Sequence, residues 1–305
     1  MNYVTSSEVR EAFKNKAPVV ALESTIITHG MPYPDNLALA KRVEADIRNE
    51  GATPATIAVL KGQLHVGLSS AQLEALASSS VPRKLSRADM ALAMAGNHTG
   101  GTTVAATMIG ASLAGIHVFA TGGIGGVHRG AELSFDISAD LQELAKTPIT
   151  VVAAGAKAIL DLPKTFEVLE TLGVPVIAFG QNEIPAFWSR SSGLTAPLRL
   201  DNPKEIAKAH DMRATLGISG GQLIANPIPK EDEITREILS PFIDQAIIKA
   251  ENKQITAKDV TPFLLKTISE LTGGKSLTAN KALVRNNAKL AAKIAKHVEI
   301  SNTRP

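Results

Sequence analysis

Short apolar runs alternate along the chain with segments in which apolar residues recur every three or four positions. The apolar runs predict strands at 18–22, 117–120, 149–153, 174–178 and 222–225, and a hairpin of strands 56–60 and 63–66. The periodic segments predict helices at 36–49 (capped by Asp35), 70–77, 86–95, 102–114 and 164–172, and others beginning near 233, 257 and 276. This alternation favours an α/β domain whose helices cover a largely buried sheet.

The composition allows a large core and excludes several chemistries. Of 305 residues, 44% are hydrophobic and 20% are charged, which excludes a disordered or collagen-like chain. The absence of cysteine excludes a disulfide framework, a cysteine-ligated metal cluster and a cysteine nucleophile. No linker or internal repeat interrupts the chain, and residues 182–202, which hold the only Trp, predict a packed excursion. We therefore expect a single domain over residues 1–305.

The net charge of +3 has a local source at the C-terminal end. Residues 271–305 carry seven basic side chains and one acidic side chain, and four of the basic ones follow at i, i+4 spacing: Lys281, Arg285, Lys289 and Lys293. They predict a solvated helix face opposite an apolar stripe formed by Leu283, Leu290, Ile294 and Val298. Because neither interleaved aromatic residues nor a nucleic-acid motif accompanies the charge, we expect no nucleic acid polymer as a partner.

The chain contains no recognisable targeting segment. Residues 1–20 carry five charged side chains where a secretory signal needs an uninterrupted apolar run. The longest weakly polar run, 104–121, is short for a membrane span and contains His117. We expect a cytoplasmic protein with no membrane partner.

Polar side chains follow several predicted strands, at the edge where ligands collect in α/β sheets. Glu23, Lys157 and Asn226 each lie just beyond such a strand. The Lys157 amine would be partly desolvated there and able to attack a carbonyl as a Schiff-base nucleophile, or it pairs with Asp161 on a following helix. Glu23 is either a proton donor or a cap of a helix or turn.

The run TGGIGGVHRG, residues 121–130, follows another predicted strand. Its glycines are typical of a loop that cradles a phosphate with backbone N–H groups, or of simple tight turns. It is not a P-loop, because Ala131 stands where that motif needs Lys, and it is not a dinucleotide fingerprint, because His128 replaces a required Gly. His128 is the one histidine that the sequence singles out for a functional role, since it lies inside this loop.

Three oxygen-bearing side chains, Asp136, Ser138 and Asp140, come at intervals of two residues after the glycine run. Oxygen donors of this kind suit Mg²⁺, Mn²⁺ or Ca²⁺. The alternative is helix capping, with Asp140 and Glu143 at the start of a helix. The spacing alone leaves both interpretations open.

Nine stretches of the sequence resemble the pseudouridine-5′-phosphate glycosidases, a family that includes the indigoidine synthase A-like proteins. They are VALESTIITHGMPYP (20–34), ATPATIAVLKG (52–62), KLSRAD (84–89), GGTTVAATM (100–108), FATGGIGGVHRGAELSFDISADLQELA (119–145), TVVAAGAKAILDL (150–162), ANPIP (225–229), TPFLL (261–265) and LTGGKSLTAN (271–280). The resemblance runs from the first strand to the last helix, and the segment FATGGIGGVHRGAE is very specific to the family.

The resemblance implies a fold and a reaction. The fold is a three-layer α/β/α domain with a mixed, largely buried central sheet, assembled as a homotrimer. The reaction is the reversible cleavage of the C–C glycosidic bond of pseudouridine 5′-phosphate, which gives ribose 5-phosphate and uracil. It proceeds through a ring-opened ribose bound to a lysine and uses a divalent metal, usually Mn²⁺, although other divalent cations are possible. A fused pseudouridine kinase, present in some members, is not expected in 305 residues.

The resemblance also assigns roles to individual residues. Glu23 matches the proton donor, Lys157 the nucleophile and Asp136 the metal ligand, whose remaining ligands are mainly water. The positions that match substrate contacts are Lys84, Val104, Ser138, Ala139, Asp140, Thr121, His128 and Asn280. Two other functions remain open: a different metal-dependent Schiff-base lyase acting on a sugar phosphate, and a non-catalytic protein that binds a phosphorylated metabolite.

Overall fold

Eleven strands form the sheet in the part of the chain that the computed structural model describes, residues 3–80 and 82–299. They are β1 Tyr3–Thr5, β2 Val19–Leu22, β3 Thr53–Leu60, β4 Gln63–Val66, β5 Arg83–Leu85, β6 Gly100–Thr102, β7 Val118–Ala120, β8 Thr150–Ala153, β9 Val176–Phe179, β10 Leu198–Leu200 and β11 Gln222–Ala225. The order is β1-β4-β3-β2-β7-β8-β11-β9-β10, with β6 paired to β3 and β5 paired to β6. The strands from β3 through β2 to β10 are parallel, whereas β4 and β6 run antiparallel to β3, so the sheet is mixed.

Thirteen α-helices lie in the same described residues. They are α1 Ser7–Lys14, α2 Thr25–Thr28, α3 Asp35–Asn49, α4 Ser70–Ala77, α5 Met90–Ala95, α6 Val104–Leu113, α7 Ala131–Ser134, α8 Ala139–Lys146, α9 Leu162–Thr171, α10 Pro203–Thr215, α11 Arg236–Asn252, α12 Val260–Leu271 and α13 Lys275–Ala295. None of these helices is long and apolar enough to cross a membrane.

Two layers of helices enclose the sheet. Helix α13 packs on β2, β7 and β8 and against α3, whereas α6 packs on β2, β3 and β4 and against α8. Every residue of β2, β7, β8 and β11 is buried, as expected of parallel strands that are covered on both faces. The predicted three-layer α/β/α fold with a mixed, largely buried sheet is confirmed.

Local sequence signals place several elements correctly. The predicted hairpin is present, with Leu60 of β3 opposite Gln63 of β4. Helix α4 has the predicted bounds because Ser69 and Gln72 form a capping box at its start. The excursion at 182–202 is packed as predicted, since Trp188 in it is fully buried.

Several predicted helix starts are shifted, and three of the shifts have a local cause. Asp35 is the first residue of α3 and not its cap, which is Pro34. The helix predicted at 86–95 begins at Met90, because the Ser86 backbone N–H donates to the Asp89 carboxylate at 2.9 Å and folds 86–89 into a turn. Residue 102 ends strand β6, and Thr103 caps α6, which therefore begins two residues later than predicted.

The basic face of α13 is not simply solvated, which corrects the prediction. Its side chains reach the acidic residues of α3: Lys281 pairs with Asp35, Arg285 and Lys289 pair with Asp46, and Lys293 pairs with Glu50. The Arg285 guanidinium binds the Asp46 carboxylate through two hydrogen bonds, at 2.6 and 3.1 Å. The basic face therefore helps to fix α13 on α3, and so on the sheet.

Candidate active site

The carboxyl ends of β2, β7, β8 and β11 meet at one edge of the sheet, because these strands are parallel neighbours. Glu23 follows β2, Thr121 follows β7, Lys157 lies four residues beyond β8, and Asn226 follows β11. The sheet therefore brings together side chains that are far apart in sequence. This edge is where ligands bind in open α/β sheets.

The carboxylate of Glu23 is held by two hydroxyl groups. Thr25 and Thr121 each donate a hydrogen bond to it, one to each oxygen. The neighbouring Ser24 points the other way, and its hydroxyl donates to the carbonyl of Ile57 at 2.6 Å inside the sheet. Glu23 therefore does not cap a helix, and its carboxylate is half-buried at the sheet edge with a defined orientation.

Lys157 contacts the glycine run directly. Its ammonium donates a hydrogen bond to the carbonyl of Gly123 at 2.8 Å, and its backbone N–H donates to the carbonyl of Ile124 at 3.1 Å. The alternative pairing with Asp161 is wrong, because Asp161 caps α9 and forms its ion pair with Lys164. The loop after β7 and the loop after β8 thus hold Lys157 between them.

Asp140 ties the glycine run to the start of α6. One of its carboxylate oxygens accepts the backbone N–H of Ala105 at 2.9 Å, and the other accepts that of Gly125 at 2.8 Å. The helix-capping interpretation of this segment is confirmed, because α8 begins at Ala139. The capping side chain is that of Ser138, not Asp140 or Glu143. A Cβ at Gly125 would stand 2.3 Å from the Ser138 hydroxyl, so the close approach requires glycine here.

Two half-buried basic residues lie among these carboxylates. Burial lowers the pKa of Lys84, the positive charge of Lys157 lowers it further, and Asp140, Glu23 and Asp259 oppose the shift. Burial likewise lowers the pKa of His128, with Asp136 opposing and the positive charges of Lys157 and Lys84 contributing. These charge interactions place Lys84, Lys157 and His128 in one cluster with the carboxylates of Glu23, Asp136 and Asp140.

Asp136 is next to His128 in this cluster. The His128 backbone N–H donates to the Asp136 carbonyl at 3.0 Å, and the Asp136 backbone N–H donates to the Ser134 hydroxyl oxygen at 3.2 Å. Among the described residues, no hydrogen bond or ion pair engages the Asp136 carboxylate, and no group of three or more His, Asp or Glu side chains gathers around a common point. A metal here would therefore have one carboxylate ligand and complete its coordination with water, a donor set that suits Mg²⁺ or Mn²⁺.

The remaining predicted positions lie at the margins of the cluster. Val104 is the first residue of α6, and it precedes Ala105, whose backbone N–H donates to the Asp140 carboxylate. Asn280 lies further back, where its side-chain oxygen accepts the Trp188 indole N–H at 2.6 Å. Lys84 alone among the predicted site residues lines a cavity of about 380 Å³, where its ammonium donates to the Lys258 carbonyl at 3.0 Å.

The family model described as indigoidine synthase A like protein matches residues 8–297. The chain belongs to this family. A pseudouridine-5′-phosphate glycosidase of Paracoccus denitrificans is 66% identical over 292 residues, which cover 95% of this chain and 96% of the relative. The enzyme of the same name from Geobacillus kaustophilus is 55% identical, with coverage of 97% and 98%.

Two solved structures of similar proteins share the fold. The prealnumycin C-glycosynthase AlnA in complex with ribulose 5-phosphate aligns with a TM-score of 0.89 at 36% identity, covering 97% of this chain and 96% of that chain. The indigoidine synthase A-like protein of Thermotoga maritima aligns with a TM-score of 0.88 at 34% identity, with the same coverage.

Sequence reasoning missed Thr25 and Asn287, which support the predicted site residues through hydrogen bonds, and it singled out Asn226 only for its place after a strand. Thr25 donates to Glu23, and Asn287 and Asn226 form a buried pair beneath the glycine run. A signal for Asn287 was present, because it stands between Leu283 and Leu290 in the apolar stripe of α13, where a polar side chain needs a buried partner.

Proposed function

We propose that this chain is a pseudouridine-5′-phosphate glycosidase, which cleaves the C–C glycosidic bond of its substrate. The observation that carries the proposal is the convergence of Glu23 and Lys157 at one sheet edge, with Lys84 within reach of the charges of both, in a chain 66% identical to a relative of that name. The ribulose 5-phosphate complex of the similar C-glycosynthase supports a sugar phosphate as the ligand class.

The bond to be broken joins C1′ of ribose to C5 of uracil, so the leaving atom is a carbon and not the oxygen of an ordinary glycoside. The amine of Lys157 attacks C1′ as the C1′–O4′ bond breaks, and O4′ takes up a proton. The lone pair of the lysine nitrogen then forms C1′=N while the C1′–C5 bond breaks toward uracil. Water adds to the imine, and ribose 5-phosphate leaves with the lysine restored.

Uracil leaves only when its C5 carbon receives a proton. Glu23 is suited to deliver it, because two threonine hydroxyls fix its carboxyl group at the same sheet edge as Lys157. The overall balance is one substrate and one water consumed, and one uracil and one ribose 5-phosphate formed.

The phosphate of the substrate meets a basic and dipolar surface. Lys84 supplies a cation. The Val104 backbone at the start of α6 and the Ser138 hydroxyl at the start of α8 lie at the positive ends of two helices. Binding there would exchange the Lys258 carbonyl for phosphate at the Lys84 ammonium. Asp140 holds the glycine run in place, since its carboxylate oxygens already accept two backbone N–H groups.

The proposal includes Mn²⁺, or another divalent cation, at Asp136. The free Asp136 carboxylate would hold the ion, and neighbouring His128 would orient the surrounding water molecules. Such an ion supplies acidified, ordered water to a site that must move protons. The proposal further includes assembly as a homotrimer, which the resemblance to the family implies, and a cytoplasmic location.

The release of uracil from pseudouridine 5′-phosphate in the presence of Mn²⁺ tests the proposal. We expect stoichiometric uracil and ribose 5-phosphate, and pseudouridine without the phosphate as a much poorer substrate. A different Schiff-base lyase acting on a sugar phosphate would release no uracil, and a non-catalytic binding protein would bind ribose 5-phosphate without any turnover. Either result would contradict the proposed function.

A further inference from the structure

One buried asparagine on α13, Asn287, contacts the backbone of the glycine run. It is fully buried, and its side-chain N–H groups donate to the carbonyls of Thr121 at 2.8 Å and Gly122 at 3.3 Å. Its side-chain oxygen accepts the amide of Asn226 at 2.9 Å. Both its amide nitrogen and its amide oxygen are therefore engaged in a defined orientation.

The backbone that Asn287 holds lies between the two groups proposed to react. The Thr121 hydroxyl donates to the Glu23 carboxylate, and the Gly123 carbonyl, two residues on, accepts the Lys157 ammonium at 2.8 Å. A shift of the peptide groups at 121 and 122 would therefore displace the partners of both side chains together. Among the described residues, no other side chain donates a hydrogen bond to the carbonyls of Thr121 and Gly122.

The position of Asn287 is itself fixed. Helix α13 packs on β2, β7 and β8, and its ion pairs with α3 include the bidentate contact of Arg285 with the buried Asp46. A leucine, which the apolar stripe favours here, would leave the amide of Asn226 and the carbonyl of Thr121 without their partners, at a cost in stability. Asn287 thus links α13, which is held on the sheet and on α3, to the glycine run.

We propose that Asn287 is a positioning residue that sets the geometry of Glu23 and Lys157 through the 121–123 backbone. This inference rests on the proposed function for the identity of the two reacting groups. It assigns Asn287 no contact with the substrate. Removal of the Asn287 side chain should therefore slow the chemical steps while leaving the binding of the sugar phosphate nearly unchanged.

The test compares Asn287→Ala with Asn286→Ala in the full chain. Asn286 is the neighbour on the same helix, and its side chain donates to the Pro227 carbonyl at 3.0 Å, away from the glycine run. We expect Asn287→Ala to lower kcat about 100-fold, the scale of a misplaced reacting group, with KM changed by less than about threefold. Asn286→Ala, which removes one partly buried hydrogen bond, should retain kcat within about threefold.

Amide hydrogen exchange gives a readout that does not depend on the reaction. Asn287→Ala should speed exchange at Ala154, whose N–H donates to the Gly122 carbonyl at 2.9 Å, and at Ile124, whose N–H donates to Gly155 at 3.1 Å. Asn286→Ala should leave hydrogen exchange at both amides unchanged. If the wild-type chain releases no uracil, the proposed function fails, while exchange at these two amides still decides whether Asn287 anchors the loop.

A second variant covers the case in which Asn287→Ala does not fold. Asn226→Ala leaves the loop contacts in place but removes the amide that orients the Asn287 side chain, so we expect kcat to fall about tenfold with little change in KM. A normal kcat in Asn287→Ala, or in Asn226→Ala when Asn287→Ala does not fold, would overturn the inference. Unchanged amide exchange at Ala154 and Ile124 in Asn287→Ala would also overturn it.

Discussion

The hydroxyl of Thr121 donates a hydrogen bond to the carboxylate of Glu23, although 98 residues separate the two in sequence. The contact joins the ends of β2 and β7, which are paired neighbours in the sheet. Thr121 is almost fully buried, so the geometry of this hydrogen bond is set by the sheet and not by a mobile side chain. A change at Thr121 should therefore act on Glu23 with little effect elsewhere.

Thr121→Val tests that contact, because valine keeps the shape and removes the hydroxyl. We expect kcat for uracil release to fall roughly tenfold to a hundredfold, since a misoriented acid transfers its proton less well. The free energy of unfolding should fall by only about 1 kcal/mol. The matched control is Thr147→Val, which removes a buried hydroxyl that donates to the Glu143 carboxylate at the C-terminal end of α8. Equal kcat values for the two variants would contradict the assignment.

Removal of divalent metal should abolish uracil release, and added Mn²⁺ should restore it. We expect Asp136→Asn to weaken Mn²⁺ binding at least about tenfold, as measured by calorimetry or electron paramagnetic resonance. Asp244→Asn is the control, because Asp244 on α11 pairs at the surface with Arg129 of the glycine run. Full activity after exhaustive chelation, or unchanged Mn²⁺ affinity in Asp136→Asn, would argue against a metal at this carboxylate.

Stability should fall as the pH drops below 6.5, partly because of a buried histidine outside the site. Burial, with smaller contributions from His117 and Arg213, lowers the pKa of His210 from 6.5 to about 4. Between these values the unfolded chain binds a proton that the folded chain does not, so acid favours unfolding. The loss approaches roughly 3 kcal/mol once the pH is below 4.

Urea unfolding of His210→Gln at several pH values checks this contribution. The variant should show a shallower loss of unfolding free energy between about pH 6.5 and pH 4 than the wild type. His297→Gln is the control, because His297 is exposed on the last turn after α13. If the His210→Gln and wild-type curves run parallel across this window, His210 does not cause the acid sensitivity.

The ion pairs between α3 and α13 should differ in strength. Asp46 is buried and binds Arg285 through two hydrogen bonds, whereas Lys293 is about half exposed and stands 3.8 Å from Glu50. We expect Asp46→Ala to cost about 3 kcal/mol of unfolding free energy, because the guanidinium loses its partner in a partly buried site. Lys293→Ala should cost less than about 0.5 kcal/mol. Denaturant unfolding that gives equal costs would refute this distinction.

The alternation of strands and helices could be predicted well from the sequence, because this alternation depends on local periodicity. The 222–225 strand and the 70–77 helix have the predicted bounds, since runs of apolar residues and a capping box are local signals. The start of α6 was misplaced, because pairing of residues 100–102 with β3 and β5 is a tertiary event that overrides helical pattern.

The candidate site could be predicted only in part. Glu23 and Lys157 stood out because each follows a buried strand, and the family resemblance assigned them roles. The spacing of Lys157 and Asp161 favoured a pairing equally well, and only the fold shows that Asp161 caps α9 while Lys157 turns to Gly123. Asn287 lies 166 residues from Thr121, whose carbonyl it binds, and no local pattern connects the two.

Borohydride trapping with ribose 5-phosphate, followed by peptide mapping, shows directly which lysine forms the covalent intermediate. Reduction of an imine between the sugar and the enzyme leaves a stable adduct on the nucleophilic lysine. We expect one adduct per chain, on Lys157, and none in Lys157→Ala, which should keep its fold and lose at least about 10³-fold in uracil release. An adduct on another lysine such as Lys84, or full activity in Lys157→Ala with no adduct, would contradict the assignment of Lys157 as the nucleophile.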